Sequence, residues 1–294
     1  MDLSHIARRE VFSAEWARRH GLSSAALARA TRRGDAYSLF HGWYAIRQPT
    51  DVTDWGRLAS RAAYLHFDGR AMVSHQSALV WTGLPVCYAS LRTVHLTRTI
   101  PGSSRSRPPL MLHRAVPGLP VADRVPTAVA VVQSGLAGEP LTALVAADAA
   151  LHAGKIDHAD LEGALDLLGC SMGIGPVRAI LAHADVRIQS PGESIIGHRL
   201  RQLGWDVEPQ FQVVTDEGPK DADFLIKGTR VLVEFDGLVK YRGAEGSEAV
   251  VAEKRREDAM RRKNFRFARF VWTELDDIAL IERRVNEQVR AAAA

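Results

Sequence analysis

The sequence is poor in cysteine and has no long apolar run. Cys87 and Cys170 are the only cysteines among 294 residues, which excludes a disulfide-stabilised scaffold. No apolar run reaches about 18 residues without a charge, which excludes a membrane-spanning helix. The first residues also lack the apolar segment of a signal peptide. At 46% apolar residues the chain can build packed cores in about two domains, and we expect a soluble, cytoplasmic protein with no membrane partner.

The sequence also has little net charge, but the excess that exists is local. Residues 1–50 hold eight basic and four acidic side chains, which equals the whole net charge of +4. A basic segment on a nearly neutral body is typical of a protein that contacts an anionic polymer. The alternative is an arginine-rich surface that is merely solvated, and charge alone leaves both open.

The basic segment has the signals of two short helices. Ser13 and Gly21 delimit the first, and Ser23 and Gly34 delimit the second. Two short helices around a glycine-containing turn are typical of a helix-turn-helix. In the second helix Leu27 and its small neighbours are expected to face inward. Residues on its other faces are expected to contact DNA, with arginine reaching phosphates or guanine edges: Ser24, Ala25, Arg29, Arg32 and Arg33.

A hairpin is expected directly after the second helix. Aromatic and apolar residues flank a turn at His41 and Gly42. A hairpin in this place is a wing, and Arg47 at its exit is expected to contact the DNA backbone. The alternative is a three-helix structural cap whose arginines are solvated.

The run FSAEWARRHGLSSAALARATRRGDAYSLFHGWYAI at 12–46 resembles the winged-helix N-terminal domain of AbiEi-type antitoxins and related transcriptional regulators. The run SHQSALVWTGLP at 74–85 resembles the segment that follows the wing in that family. The resemblance implies double-stranded DNA as a partner. It also implies a middle region that serves as a connector and as a docking or dimer unit, with a homodimer and a toxin as further partners.

The middle of the chain, residues 51–186, is expected to be a mainly helical connector domain. A helix is predicted at 74–81, strands at 93–100 and 110–117, and helices through 126–184. No catalytic constellation is evident. The histidines are scattered along the sequence and are expected to be structural or surface residues: His75, His95, His113, His152 and His158.

A capping box begins the C-terminal region. Ser190 is followed by Pro191 at the first helical position and by Glu193 three residues after the cap. Glu193 also shares a helical stripe with Ile196 and Leu200, so it should face the body of the domain. A carboxylate that points toward a core needs a partner or a metal, and both capping and function remain open for it.

An acidic hairpin is expected over residues 221–237. If Lys227 to Arg230 form the loop, Asp223 lies opposite Glu234, and Asp236 shares their face. Like charges on adjacent strands are destabilising unless a cation neutralises them. Carboxylate oxygens suit Mg²⁺, with Mn²⁺ as the alternative, and such an ion would activate water against a phosphodiester. The other interpretation is a solvated acidic face.

Five blocks in order carry a second resemblance: SPGES, DADFLI, VLVEFDG, EKRREDAMRRKNFRFARFVW and TELDD, over about 90 residues. This region resembles the very-short-patch-repair (Vsr)-like branch of the PD-(D/E)XK endonucleases. The resemblance implies a mixed sheet flanked by helices and DNA cleavage. It further implies Asp223 and Glu234 as metal ligands, Glu193 as a supporting acid and Asp236 as an additional acid.

The sequence departs from that pattern around the expected active site. Asp236 stands where the superfamily has its lysine, and no histidine follows His198. Lys240 is therefore expected to stabilise the charged transition state. In the basic helix, Arg255 and Arg262 are expected to contact phosphate. The alternative is a solvated face with pairs between Glu257 and Arg261 and between Asp258 and Arg262.

The expected fold class is α+β. It comprises a winged helix at 1–50, the connector at 51–186 and a restriction-endonuclease-like domain at 187–294. The first functional hypothesis is a DNA-binding protein with a magnesium-dependent endonuclease domain. The alternative is a transcriptional regulator or antitoxin-type protein whose nuclease-like domain is inactive. A third hypothesis is RNA or protein binding through the basic segment.

Overall fold

The structure, a computed structural model, describes residues 3–237 and 246–293, with the side chains of 246–253 outside that description. The expectation of a mixed α+β protein is confirmed. The chain divides into two compact units, Met1–Ala182 and His183–Ala294. The expected boundary after residue 50 falls inside the first unit. No helix within the described ranges is long and apolar enough to cross a membrane.

The first unit begins with a helix pair and a small sheet. Ser13 caps the first helix by accepting the N–H of Trp16, and Ser23 caps the second by accepting the N–H of Ala26. Gly34 ends the second helix in the left-handed region, at φ 80°. The two helices and the hairpin are therefore as predicted, and a short strand before them adds to the sheet in the order β1-β3-β2. The elements are β1 (Val11–Ser13), α1 (Ala14–Arg19), α2 (Ser24–Arg33), β2 (Tyr37–Phe40) and β3 (Trp43–Ala45).

The rest of this unit contains more strand than the sequence indicated. A four-stranded sheet has the order β4-β5-β7-β6, in which β5 and β7 are parallel and the other pairs are antiparallel. Arg105–Arg107, between the two strands predicted at 93–100 and 110–117, forms the additional strand β6. The elements are α3 (Val52–Phe67), β4 (Ala71–Val73), α4 (His75–Trp81), β5 (Val94–Arg98), β6 (Arg105–Arg107), β7 (Leu110–His113), α5 (Thr127–Ala137), α6 (Pro140–His152), α7 (His158–Leu167) and α8 (Ile174–Leu181).

The second unit is a four-stranded mixed sheet with helices. Three strands form an antiparallel meander, and the fourth pairs in parallel with the third. Their apolar faces pack around Leu232, Met260 and Phe267, all of which are buried. The elements are α9 (Pro191–Gln202), β8 (Val207–Thr215), β9 (Gly218–Ile226), β10 (Val231–Phe235), α10 (Gly246–Arg262), β11 (Arg266–Phe270) and α11 (Ile278–Ala293).

Gly192, in the first turn of α9, is required by close packing. A Cβ atom at this position would lie 2.1 Å from the ring of Phe235. We expect Gly192→Ala to destabilise the protein by about 2 kcal/mol, because overpacking a tight contact typically costs 1–3 kcal/mol. The matched control is Gly163→Ala in α7, where a Cβ meets nothing within 4 Å. That change should be neutral or stabilising by up to about 1 kcal/mol. Urea unfolding of both variants tests this, and equal midpoints would contradict it.

Candidate functional sites

One face of α2 is basic and exposed. Of the three residues expected to face inward, Ala26, Leu27 and Ala30, the last two are buried and Ala26 is only partly buried. The residues expected to contact DNA are all exposed: Ser24, Ala25, Arg29, Arg32 and Arg33. None of these three arginines forms an ion pair with any residue that the structure describes. The face therefore carries three positive charges that no carboxylate in the described chain neutralises.

Arg47 has a different role from the expected one. Its guanidinium donates to both carboxylate oxygens of Asp54, with Nη2 at 2.9 Å from Oδ1, and to Glu10 at 2.8 Å. Arg61 donates to the other oxygen of Glu10. Arg47 thus ties the exit of the hairpin to the start of α3, and these contacts correct the expectation that its guanidinium serves a DNA phosphate.

The electrostatics of this network follow from its geometry. The hydrogen bond from Arg47 holds the pKa of Asp54 well below its usual range, and Asp54 is almost fully buried. The same arginine is the main cause of the lowered pKa of Glu10. Asp54 also accepts the N–H of Thr50 at 3.0 Å. The buried carboxylate is therefore charged at neutral pH and fully partnered.

In the second unit, the predicted hairpin register is confirmed. Ile226 pairs with Val231 and Phe224 with Val233, so Asp223 and Glu234 come next along the two strands. Asp223 accepts the main-chain N–H of Phe235 at 2.7 Å, and the side chain of Glu234 is buried. The two carboxylates expected to bind a metal therefore occupy neighbouring positions on adjacent antiparallel strands.

Arginines of the same domain neutralise the acidic residues. Arg256, on α10, donates to Glu234 Oε2 at 3.0 Å and also to the carbonyl oxygen of Asp221. Arg269, on β11, contacts both oxygens of Asp236 at 3.0 and 3.1 Å. These ion pairs supply the positive charge that the sequence suggested a metal would supply. The sequence did not indicate these two pairs, because each arginine lies on a different element from the carboxylate that it contacts.

Glu193 is explained by helix capping. Its Oε1 accepts the hydroxyl of Ser190 at 2.7 Å, and its Oε2 accepts the N–H of Gln189 and the side-chain amide of Gln210, each at 3.0 Å. The carboxylate is buried, as predicted. Both of its oxygens have donors, so it is held at the start of α9 by the chain itself.

Donors of the chain itself already occupy part of the site expected to hold Mg²⁺. The ion takes carboxylate oxygens and waters in near-ideal octahedral geometry. Here Glu234 and Asp236 accept from arginine and Glu193 from three neutral donors. Within the described residues, no three carboxylates bring oxygens within 4.8 Å of one another. Lys240, expected to assist catalysis, lies outside the described residues.

The basic helix α10 has features of both predictions made from the sequence, namely an ion pair along the helix and an exposed arginine without such a pair among the described residues. The pair between Glu257 and Arg261 is present at 2.7 Å. Arg262 pairs with Glu217 across the domain rather than with Asp258, which corrects that expectation. Arg255 is exposed and has no ion-pair partner in the part of the chain described. Of the two arginines expected to contact phosphate, Arg262 is therefore in an ion pair, and Arg255 has none with any described residue.

The structure brings together three histidines that are scattered along the sequence. His75 begins α4 directly after β4, His95 lies in β5 and His113 ends β7. The ring of His113 stacks on that of His75, with centroids 3.9 Å apart, and on that of His95 at 5.1 Å, while the rings of His75 and His95 are tilted by 37° at 5.1 Å. One nitrogen from each ring lies within 4.8 Å of the others. His75, His95 and His113, which were expected to be separate structural or surface residues, therefore form one cluster.

The environment of the cluster keeps the imidazoles neutral. Burial lowers the pKa of His95 to about 4, with the neighbouring His113 adding to the effect. Burial also lowers the pKa of His75 and of His113. The sequence places each histidine in or next to a short apolar segment that is typical of a strand: AMVSH, TVHL and LMLH. Only the pairing of those strands in one sheet shows that the three meet.

Comparison with known proteins gives no further assignment. Neither the protein-family models nor the curated proteins contain a match to this chain. Function must therefore be argued from the sites themselves.

Proposed function

We propose that the chain is a double-stranded-DNA-binding protein of the transcriptional-regulator or antitoxin type. The observation that carries this proposal is the exposed face of α2, where Arg29, Arg32 and Arg33 have no carboxylate partner among the described residues. Lysine and arginine contacts to phosphate supply most of the affinity of proteins for DNA. Three arginines on one helical face form such a contact surface.

The order of elements supports the same proposal. A helix, a tight turn, a second helix and a hairpin follow one another in the first unit, which is the order of a winged helix. The first turn of α2 exposes Ser24 and Ala25, whose small side chains permit close approach to a groove. In this proposal Arg47 holds the hairpin in place and makes no contact with DNA.

We propose that the C-terminal unit has an endonuclease-like fold but does not hydrolyse DNA. The sequence resemblance and the order of helix, three-strand meander, helix and parallel strand support the fold. The ion pairs of Glu234 with Arg256 and of Asp236 with Arg269 support the lack of hydrolysis. A metal at this site would have to compete with Arg256 for Glu234, one of its two expected ligands.

DNA binding is tested by fluorescence anisotropy with the full chain and labelled duplexes of random sequence. We expect binding whose logarithm of affinity falls linearly with the logarithm of the salt concentration. Single-stranded DNA and duplex RNA of equal length are the comparison probes. Absence of duplex binding at low salt would contradict the proposal, and preference for RNA would favour the third hypothesis.

The lack of hydrolysis is tested with supercoiled plasmid in the presence of Mg²⁺ or Mn²⁺. We expect no nicking by the wild-type protein, and Asp223→Asn and Glu234→Gln should behave identically. Metal-dependent nicking that both substitutions abolish would show instead that this domain is an active endonuclease. The same purification from cells that carry the empty expression vector controls for a contaminating nuclease.

A further inference from the structure

We propose that His75, His95 and His113 form a binding site for a zinc-class divalent transition-metal ion. Imidazole is a preferred ligand of such ions. Three side chains from separate elements, α4, β5 and β7, supply one nitrogen each within 4.8 Å of one another. The site lies in the first unit and is unrelated to the carboxylates of the second.

The spacing of the nitrogens suits one ion. Zinc–nitrogen distances of 2.0–2.1 Å at tetrahedral angles place two ligand nitrogens about 3.4 Å apart. Nδ1 of His95 and Nε2 of His113 are 2.9 Å apart. Small shifts of the rings therefore bring these nitrogens to the separation that coordination requires. The hydrogen now shared between them must leave that position, since both nitrogens present lone pairs to a metal.

Neighbouring side chains select which nitrogens face the ion. Nδ1 of His75 contacts the hydroxyl of Ser74 at 2.9 Å, which directs Nε2 of that ring to the site. Nε2 of His95 contacts the side-chain amide of Gln76 at 3.0 Å. Metal-bound histidines characteristically hydrogen-bond through their other nitrogen to such a partner, which fixes the tautomer and the ring orientation. Ser74 is such a partner for His75, and Gln76 becomes one for His95 when its amide oxygen faces Nε2.

Gln76 provides a second, independent observation. Its side chain is 4% exposed, and its Oε1 is buried without a hydrogen-bond partner among the described residues. Such a buried acceptor is costly. Turning the amide lets Oε1 accept an N–H from Nε2 of His95, in place of the long 3.4 Å contact of its nitrogen with the carbonyl of Ser90. The tautomer of His95 with hydrogen on Nε2 is the one that presents Nδ1 to a metal.

An open coordination position would face a cavity. His75 and His113 line a pocket of about 640 Å³, together with Gln133, Leu136 and Cys170. Metal sites with three protein ligands and access to solvent keep a fourth position for water or another small ligand, whereas structural zinc sites are usually closed by four. The geometry thus describes a three-histidine site with one exchangeable position.

Backbone conformation at His75 supports a constrained site. This residue has φ 54°, a left-handed value that is uncommon outside glycine, although histidine adopts it more often than most other residues. Its N–H donates to Oε1 of Gln133 at 3.3 Å. In this conformation the imidazole of His75 stacks on that of His113.

The test is metal binding by the full chain, stripped of metal and then titrated with Zn²⁺ and with Co²⁺ as a spectroscopic probe. We expect one equivalent to bind, visible cobalt absorption of a four-coordinate nitrogen site, and a rise in melting temperature with zinc. The variant His113→Asn should lose all three signals. The control His158→Asn, at an exposed histidine of the same unit, should keep them.

A second pair of variants keeps the proposal falsifiable if His113→Asn fails to fold. Gln76→Ala should weaken zinc binding about 10–100-fold, the usual effect of removing a hydrogen-bond partner of a ligand histidine. Gln76→Glu should retain or strengthen binding, because a carboxylate accepts the same N–H. Wild-type protein that binds no zinc, or binding that is unaffected by both His113→Asn and Gln76→Ala, would overturn the proposal. The absorption and stoichiometry readouts are independent of DNA binding.

Discussion

Simultaneous replacement of Arg29, Arg32 and Arg33 by alanine is expected to lower affinity for duplex DNA about 100-fold or more. Each arginine contact to a phosphate or a guanine contributes about 1–3 kcal/mol, and the lower value for three residues already gives that factor. All three side chains are exposed, so the folded structure should be unaffected. Alanine is also the best helix former, which favours an intact α2. Anisotropy titrations at fixed salt measure the change.

The control is a variant that loses the same charge elsewhere. Arg92, Arg283 and Arg290 are exposed and lie outside α1, α2 and the hairpin. Their joint replacement by alanine removes three positive charges from the chain without touching the proposed surface. We expect less than a tenfold loss of affinity from this variant. Equal losses from both triple variants would mean that DNA binding depends on net charge and not on the α2 face.

Asp54→Ala is expected to destabilise the protein by about 2–3 kcal/mol. Breaking a buried ion pair typically costs about 3–5 kcal/mol. We expect a smaller loss of stability here, because Arg47 is partly exposed and water can solvate its charge once Asp54 is removed. The side chain of Asp54 is 4% exposed, against 39% for Arg47. The control Glu15→Ala breaks a pair with Arg19 that is exposed at both ends and should cost at most about 0.5 kcal/mol. Urea unfolding followed by tryptophan fluorescence compares the two.

The pH dependence of stability provides a check on the same network. The folded pKa values of Asp54 and Glu10 are lower than their unfolded values. Their contribution is therefore fully present above the unfolded pKa values, near about pH 4, and is lost as the pH falls through the folded values. Wild-type stability should decline more steeply than that of Asp54→Ala below about pH 4. Parallel pH profiles for the two proteins would contradict this assignment.

The sequence was most informative where structure depends on neighbours in the chain. Ser13, Ser23 and Gly34 set the ends of α1 and α2 through local capping contacts, and all three were identified. The turn before Val231 fixed the register that places Asp223 beside Glu234. Capping geometry and hairpin registers are local properties, so residue type and spacing are sufficient to predict them.

Contacts between distant segments were beyond the reach of sequence patterns. Arg47 was assigned to DNA because nothing local shows that Glu10 lies beside it. Arg256 and Arg269 could not be matched to Glu234 and Asp236, because α10 and β11 must first pack on the sheet. In each case the charge was recognised and its partner was not.

The histidine cluster shows the same limit more strongly. His75 precedes His113 by 38 positions in the sequence, yet their ring centroids lie 3.9 Å apart. They meet because β5 pairs with β4 on one side and with β7 on the other. Residues that meet through the pairing of separate strands do not recur at a fixed spacing, so no periodic pattern in the sequence reveals them. A group of functional residues assembled by sheet order can be identified only after the sheet order is known.

The salt dependence of duplex binding by the wild-type protein and by the triple variant of Arg29, Arg32 and Arg33 tests the central claim most directly. Each phosphate contact contributes about 0.9 to the slope of the logarithm of affinity against the logarithm of salt concentration. If the three arginines contact phosphates, the slope should become shallower by about 2.7 in the variant. Unchanged affinity together with an unchanged slope in the variant would contradict the claim that the α2 face binds DNA.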